Sequence, residues 1–206
     1  MADALLIFKP DASYRLSARA GLWGWLASER DWKVESLAWF QPPGSLIESH
    51  YDFLKDRPFF PWLVDFMTAL PLLVGRVTAS AEALERMRYE LGETRIAQSR
   101  PGSLRERYGI FGGVNCLHLS DAPETGATEV ERWAEFVQLN EISVTLPTET
   151  DQPDHTYRLR SLATQVSGGI HVELASQTIR ELIAEESEIE GQRLEALWRI
   201  ILGALA

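Results

Sequence analysis

Phe111-Gly112-Gly113-Val114-Asn115-Cys116-Leu117-His118-Leu119-Ser120-Asp121 is the stretch on which the reading of the whole chain turns. Val114–Leu119 is apolar enough to form a strand, the fourth such segment in the chain. It carries one histidine among small and polar neighbours, just ahead of an acidic helix start. An imidazole in that setting can act as base, metal ligand or nucleophile. Cys116, the single cysteine, lies only two residues away on the same short segment, and no second histidine stands at ligand spacing, so a metal role is disfavoured. A nucleophilic histidine needs a partner on its other ring nitrogen, and Glu129 and Ser120 are the local candidates. Asn115 and His118 are three apart. A regular strand would point them to opposite faces, so the strand is expected to end or bend near His118.

Outward toward the N-terminus, Leu72–Val77 is a strand apolar on both faces and so expected at the centre of a sheet. Trp32–Phe40 is an alternating strand that ends at Pro42-Pro43-Gly44. Leu5–Lys9 is a buried strand stopped by Pro10, with Lys9 at its end, where a cation can face phosphate. Helical spacing occupies Ser13–Glu29, Ser45–Leu54, Trp62–Thr68 and Ser80–Leu91, the last ended by Gly92. Arg95–Gly109 has no strong periodicity. Thr128 with Glu131 forms a possible capping box for a helix whose buried stripe is Val130, Trp133, Ala134 and Val137. The order β-α-β-(αα)-β-α-β-α predicts an α+β fold: a ferredoxin-like split βαβ sandwich, with a four-stranded antiparallel sheet covered by helices.

The chain has 206 residues, 45% of them hydrophobic, which suits one globular domain with an appendage. A net charge of -10 argues against a nucleic-acid partner. The lone cysteine excludes an intrachain disulfide framework and fits a reducing compartment. Ala4–Phe8 is too short and lacks the basic leader of a signal peptide, and no apolar run is long enough to span a membrane. The expectation is a soluble, cytoplasmic protein without membrane association.

Five local patterns then coincide: Lys9-Pro10-Asp11-Ala12; Tyr51 with Lys55-Asp56-Arg57-Pro58-Phe59-Phe60-Pro61; Leu91-Gly92-Glu93-Thr94; Pro101-Gly102-Ser103-Leu104-Arg105; and Gly113-x-Asn115-x-x-His118-x-Ser120-Asp121. Each is weak alone. In this order and spacing, over about residues 4 to 136, the chain resembles the nucleoside diphosphate kinase family. The resemblance implies that His118 takes the γ-phosphoryl group of a nucleoside triphosphate and hands it to a nucleoside diphosphate in a ping-pong cycle. Glu129 would hold the other ring nitrogen and Ser120 would support Glu129. Lys9, Tyr51, Arg88, Thr94 and Arg105 would surround the phosphates, and Asn115 with Lys9 would reach the sugar. Phe59 would stack on the base with Leu63 beside it. Magnesium would bridge the nucleotide's own phosphates, with no dedicated protein metal site, and the enzyme would be a homo-oligomer. These residue types suit a loose transition state, in which the protein mainly positions groups and spreads charge.

Four positions depart from the family pattern: Leu119 in place of a glycine, Gly112 in place of an apolar branched residue, Val114 in place of an arginine, and Ala69-Leu70-Pro71 in place of a small-residue turn. The resemblance covers a kinase-like domain at 1–139. Residues 140–206 are expected to form an extension: a linker over Pro147–Asp154, a β-hairpin of Tyr157–Ser167 and Ile170–Leu174 about Gly168-Gly169, and an amphipathic helix, with a capping box at Thr178 and Glu181 and a division at Gly191. Its apolar stripe is expected to dock on the kinase domain or on a neighbouring subunit. His50, His155 and His171 receive no site role. Two other readings stand beside the kinase: a phosphohistidine enzyme with a specialised acceptor, and a nucleotide-binding scaffold with weak turnover.

Overall fold

The computed structural model describes residues 1–28 and 31–205. Strand β1 (Ala2–Phe8) is followed by helices α1 (Pro10–Tyr14) and α2 (Leu16–Ala27), then β2 (Trp32–Phe40), α3 (Gly44–His50) and α4 (Phe60–Thr68). Strand β3 (Leu72–Ala79), α5 (Ala81–Leu91), α6 (Leu104–Tyr108), β4 (Leu117–Leu119) and α7 (Pro123–Ala134) complete the ferredoxin-like unit. The sheet order is β2-β3-β1-β4 and its pairings are antiparallel. β1 and β3 hold the centre, as their two-faced apolarity predicts. Leu5 and Ile7 enter one core and Leu6 and Phe8 the other, because successive strand residues point to opposite faces.

Three sequence expectations need correction in this unit. The fourth strand is shorter than Val114–Leu119, because the chain bends at Cys116, whose φ is 76°, and Leu117 N–H closes a tight turn on the Asn115 carbonyl at 3.0 Å. The helix expected over Ser13–Glu29 is broken at Arg15, whose extended backbone (φ -81°, ψ 105°) turns the buried side chain toward partners far along the chain; Glu29 lies outside the described residues. The helix expected to begin at Thr128 begins at Pro123, with Thr125 bonding back to Ala122; Thr128 is inside the helix, its hydroxyl on the Glu124 carbonyl at 3.2 Å.

Residues 140–206 contain α8 (Thr156–Ser167), α9 (Val172–Glu185) and α10 (Gly191–Gly203). The expected β-hairpin is a helical hairpin. Tyr157–Leu162 alternates apolar and polar at its start, but Leu159 and Ala163, four apart, are the buried pair, as are Ala175 and Ile179. Gly168-Gly169 closes the turn between the helices, Gly169 at φ 71°. Thr178 is likewise interior to α9 rather than its cap. The division near Gly191 is present. The buried residues Leu159, Ile179, Ile183, Leu194, Leu197 and Ile201 join the same core as Leu5, Ile7 and Trp133, so the extension docks in cis. The first residues of the extension also cover the sheet edge: Leu37 of β2 donates to Glu141 O at 3.1 Å and accepts from Ser143 N at 2.9 Å. Among the described residues, no helix is long and apolar enough to cross a membrane.

Candidate active site

β4 presents His118 on the face opposite Leu117 and Leu119. Helix α7 brings Glu129 to it, and Gly126 permits the approach: a Cβ there would lie 2.2 Å from the Asp3 carbonyl oxygen of β1. His118 Nε2 is 2.9 Å from Glu129 Oε2. Ser120 Oγ donates to the same carboxylate oxygen at 2.6 Å and accepts from Leu5 N–H at 2.8 Å. Burial pushes the Glu129 carboxyl up, but the hydrogen bond and charge of His118, with the Ser120 hydroxyl, outweigh it and hold it at about 2. A carboxylate at Nε2 keeps the proton there and leaves the Nδ1 lone pair as the nucleophilic one.

Around this pair stand buried groups with unused bonding capacity. Lys9 is 7% exposed, its ammonium on the Gly113 carbonyl at 3.2 Å; burial, then the Arg105 charge, lowers it to about 8. Arg105 is 4% exposed and donates to the Gly92 and Leu117 carbonyls at 2.9 and 2.7 Å; burial, then the Arg88 charge, lowers it to about 10. Asn115 donates to Thr94 O at 2.8 Å, and the exposed Thr94 offers its hydroxyl 3.4 Å from Arg105. Arg88 is held by the Leu119 carbonyl at 2.8 Å and by the exposed Asp121 at 2.5 Å. Tyr51 is buried with its ring centroid 6.1 Å from that of His118; burial raises its phenol. Among the described residues, buried polar side-chain atoms without a partner include Tyr51 Oη, Arg105 Nε, Asn115 Oδ1 and His50 Nε2. Each such atom costs about 1–3 kcal/mol, so their gathering at one place marks a cradle completed by a ligand.

Two of the positions expected at the base are open. Phe59, at the start of α4, is 48% exposed, while Phe60 packs partly against the core. Gly112 has φ 48°, and a Cβ there would meet nothing within 4 Å. Leu63 does not stand beside the exposed Phe59 ring in the open; it is 4% exposed, inside the core. Leu119 does not crowd the nucleophile: it is fully buried on the other side of the sheet, in the core that holds Leu6 and Phe8.

Sequence reasoning missed two residues. Asp11, fully buried, accepts from Cys116 N–H at 3.1 Å and so holds the left-handed turn that aims β4. His50, given no site role, lies with its ring centroid 4.6 Å from that of His118, edge to face. The spacing from Tyr51 was the available signal. His50, His118 and Glu129 offer ligand atoms within 4.8 Å of one another. The chemistry argues against a metal there: Trp133 Nε1–H donates to His50 Nδ1 at 3.2 Å, so the neutral ring carries its proton on Nε2 and has no lone pair to give. Burial, then the His118 charge, lowers His50 to about 3 and keeps it neutral.

A sheet-borne imidazole backed by a carboxylate and faced by buried cations is an arrangement suited to phosphoryl transfer. The sequence model of the nucleoside diphosphate kinase family matches residues 3–138. The chain is 35% identical to a nucleoside diphosphate kinase of Chloroflexus aurantiacus, over 69% of this chain and 91% of that protein. It is 33% identical to one of Carboxydothermus hydrogenoformans, over 72% and 97%. Among solved structures, the Aquifex aeolicus nucleoside diphosphate kinase superposes with a TM-score of 0.57 at 28% identity, covering 68% of this chain and 98% of that one. The chain belongs to the nucleoside diphosphate kinase family.

Proposed function

We propose that the protein transfers the γ-phosphoryl group of a nucleoside triphosphate to a nucleoside diphosphate through a phosphohistidine on His118. The observation that carries this reading is the His118–Glu129–Ser120 relay facing unfilled buried donors. In the first half-reaction His118 Nδ1 attacks the γ-phosphorus. The bond to the β-phosphate oxygen breaks, the N–P bond forms, and the nucleoside diphosphate leaves. The imidazole gains positive charge, which the Glu129 carboxylate offsets. In the second half-reaction a terminal oxygen of an incoming diphosphate attacks the same phosphorus and the imidazole leaves.

Lys9 and Arg105 spread the phosphate charge, with Tyr51 and Thr94 donating hydroxyls, and Arg88 exchanging Asp121 for phosphate. Asn115 and Lys9 serve the ribose, and Phe59 stacks on the base with Leu63 supporting its helix from behind. Magnesium enters on the nucleotide's phosphates as part of the substrate. Residues 1–139 form the catalytic unit and 140–206 its extension. The acidic composition and single cysteine support a cytoplasmic enzyme acting on free nucleotides. Its homo-oligomer contacts lie away from the β2 edge, which Glu141 and Ser143 of the extension cover.

Incubation with γ-labelled ATP and magnesium should give an acid-labile, base-stable phosphoenzyme. His118→Ala should abolish it, and Glu129→Ala should slow its formation on the order of a hundredfold or more. Label surviving in His118→Ala would overturn the assignment. A phosphoenzyme that discharges to no common nucleoside diphosphate would favour a specialised acceptor.

A further inference from the structure

Trp62, in α4, is wedged between the site and the extension. Its indole N–H donates to the Ile200 carbonyl at 2.8 Å. That carbonyl is among the last four of α10, which lack partners within the helix. A Cβ on Gly203 would lie 2.9 Å from Trp62 Cδ1, so α10 touches the pyrrole edge at backbone distance. At the opposite edge, a Cβ on Gly113 would lie 2.8 Å from Trp62 Cζ3. One face of the indole stacks on Phe66, with ring centroids 5.1 Å apart and planes 12° apart. Gly113 supplies the carbonyl that receives the Lys9 ammonium, and Gly112 beside it is one of the open positions expected at the base.

We propose that Trp62 is a positioning residue through which α10 sets the Phe111–Val114 turn, and with it Lys9, for the nucleotide. This rests on the nucleotide reading of the site. The turn is short, held by Val114 N–H on the Phe111 carbonyl at 2.8 Å and Ile110 N–H on the Val114 carbonyl at 2.9 Å. Its Gly113 face has no side chain of its own to pack. The indole fills that place and is itself fixed by a hydrogen bond to the extension. A shift of the indole therefore moves the Lys9 anchor without touching His118 or Glu129. The extension acts on the nucleotide contacts of Lys9, and the His118–Glu129 pair is left in place.

The test uses the full chain with Trp62→Phe, Gly203→Ala and the double variant. Phenylalanine keeps an aromatic filler and removes the N–H. Alanine at 203 pushes a methyl onto the indole while favouring the helix. Each single variant should raise the ADP dissociation constant by calorimetry, and the ADP KM, roughly three- to tenfold. The amount of phosphoenzyme formed at saturating ATP should match the parent's, because His118 and Glu129 are not moved, and the melting temperature should fall little. Gly203→Ala should add nothing further in the Trp62→Phe background, because the smaller ring leaves room for the methyl. A purely structural role would lower melting temperature and phosphoenzyme amount together and leave the ADP constant unchanged; that result, or strict additivity of the two changes, overturns the proposal. A parent protein that binds ADP but forms no phosphoenzyme would defeat the proposed function while leaving this inference readable by calorimetry.

Discussion

Arg15 and Arg105 are both buried, and their surroundings are opposite. Arg15, at the seam between the kinase unit and the extension, is fully buried and fully partnered. Its Nε meets the Glu186 carboxylate, one terminal nitrogen donates to the Tyr108 carbonyl at 2.8 Å, and the other to the Thr156 hydroxyl. Burial would lower its affinity for the proton, but Glu186 outweighs burial and raises it. Arg105 touches only carbonyls and a hydroxyl, keeps Nε without a partner, and is lowered. A buried cation completed by a carboxylate of the chain is a joint. A buried cation left beside Lys9 with neutral acceptors is a seat for an anion.

The largest effect that could break this contrast is on the joint. Arg15→Ala strands the Glu186 carboxylate, which is fully buried. Removing one partner of a buried pair costs about 3–5 kcal/mol. Urea unfolding should show that loss, and Glu186→Ala should show one of similar size. A loss under about 1 kcal/mol for both would mean the seam is held by the apolar residues of α9 and α10 instead.

The next effect is on the seat, with the opposite balance between stability and activity. In the proposed mechanism Arg105→Ala removes charge-assisted phosphate contacts worth about 1.5–3 kcal/mol, so kcat/KM for nucleotides should fall roughly ten- to hundredfold. The same change removes an uncompensated buried charge, so the ligand-free protein should melt no lower than the parent. A melting point well below the parent's would make Arg105 a structural arginine like Arg15.

The two arginines also mark where the sequence was readable. Lys9, Tyr51, Arg105, Asn115 and His118 stood out because each sits inside a local pattern that resembles the nucleoside diphosphate kinase family. Trp32–Phe40 was legible from period two, Leu5–Lys9 and Leu72–Val77 from their apolar runs, and the fourth strand only at its end, because the bend at Cys116 takes away its first half. Arg15 carried no local sign, since its partner Glu186 is 171 residues away. Trp62 carried no local sign either, since its partner Ile200 is 138 residues away. Helix α8 and the start of α9 were hidden by a few alternating residues at Tyr157–Leu162 and by Gly168-Gly169, which closes a helical turn as readily as a strand turn, whereas the rest of α9 and α10 was legible from helical spacing. Strand alternation alone puts Leu119 on the far face from His118, so its place in the core with Leu6 and Phe8 was legible.

The smallest predicted effect concerns a single proton, and it separates stability from function at one residue. Lys9 is lowered from 10.5 to about 8 by burial and then by Arg105. Between those pH values the ligand-free folded chain holds Lys9 neutral while the unfolded chain holds it charged. The unfolded chain then binds more protons, so stability rises with pH across this window. Phosphate binding needs the ammonium, so kcat/KM, which reports the free enzyme, should fall above about pH 8 by roughly tenfold per pH unit. Bound phosphates favour the charged form, so the matching limb in kcat should lie at higher pH. Lys9→Arg should remove the limb from kcat/KM and abolish the rise in stability. A kcat/KM that stays level to pH 10 in the parent would show that the ammonium keeps its proton in the empty site, and that Lys9, like Arg15, already has the partner it needs.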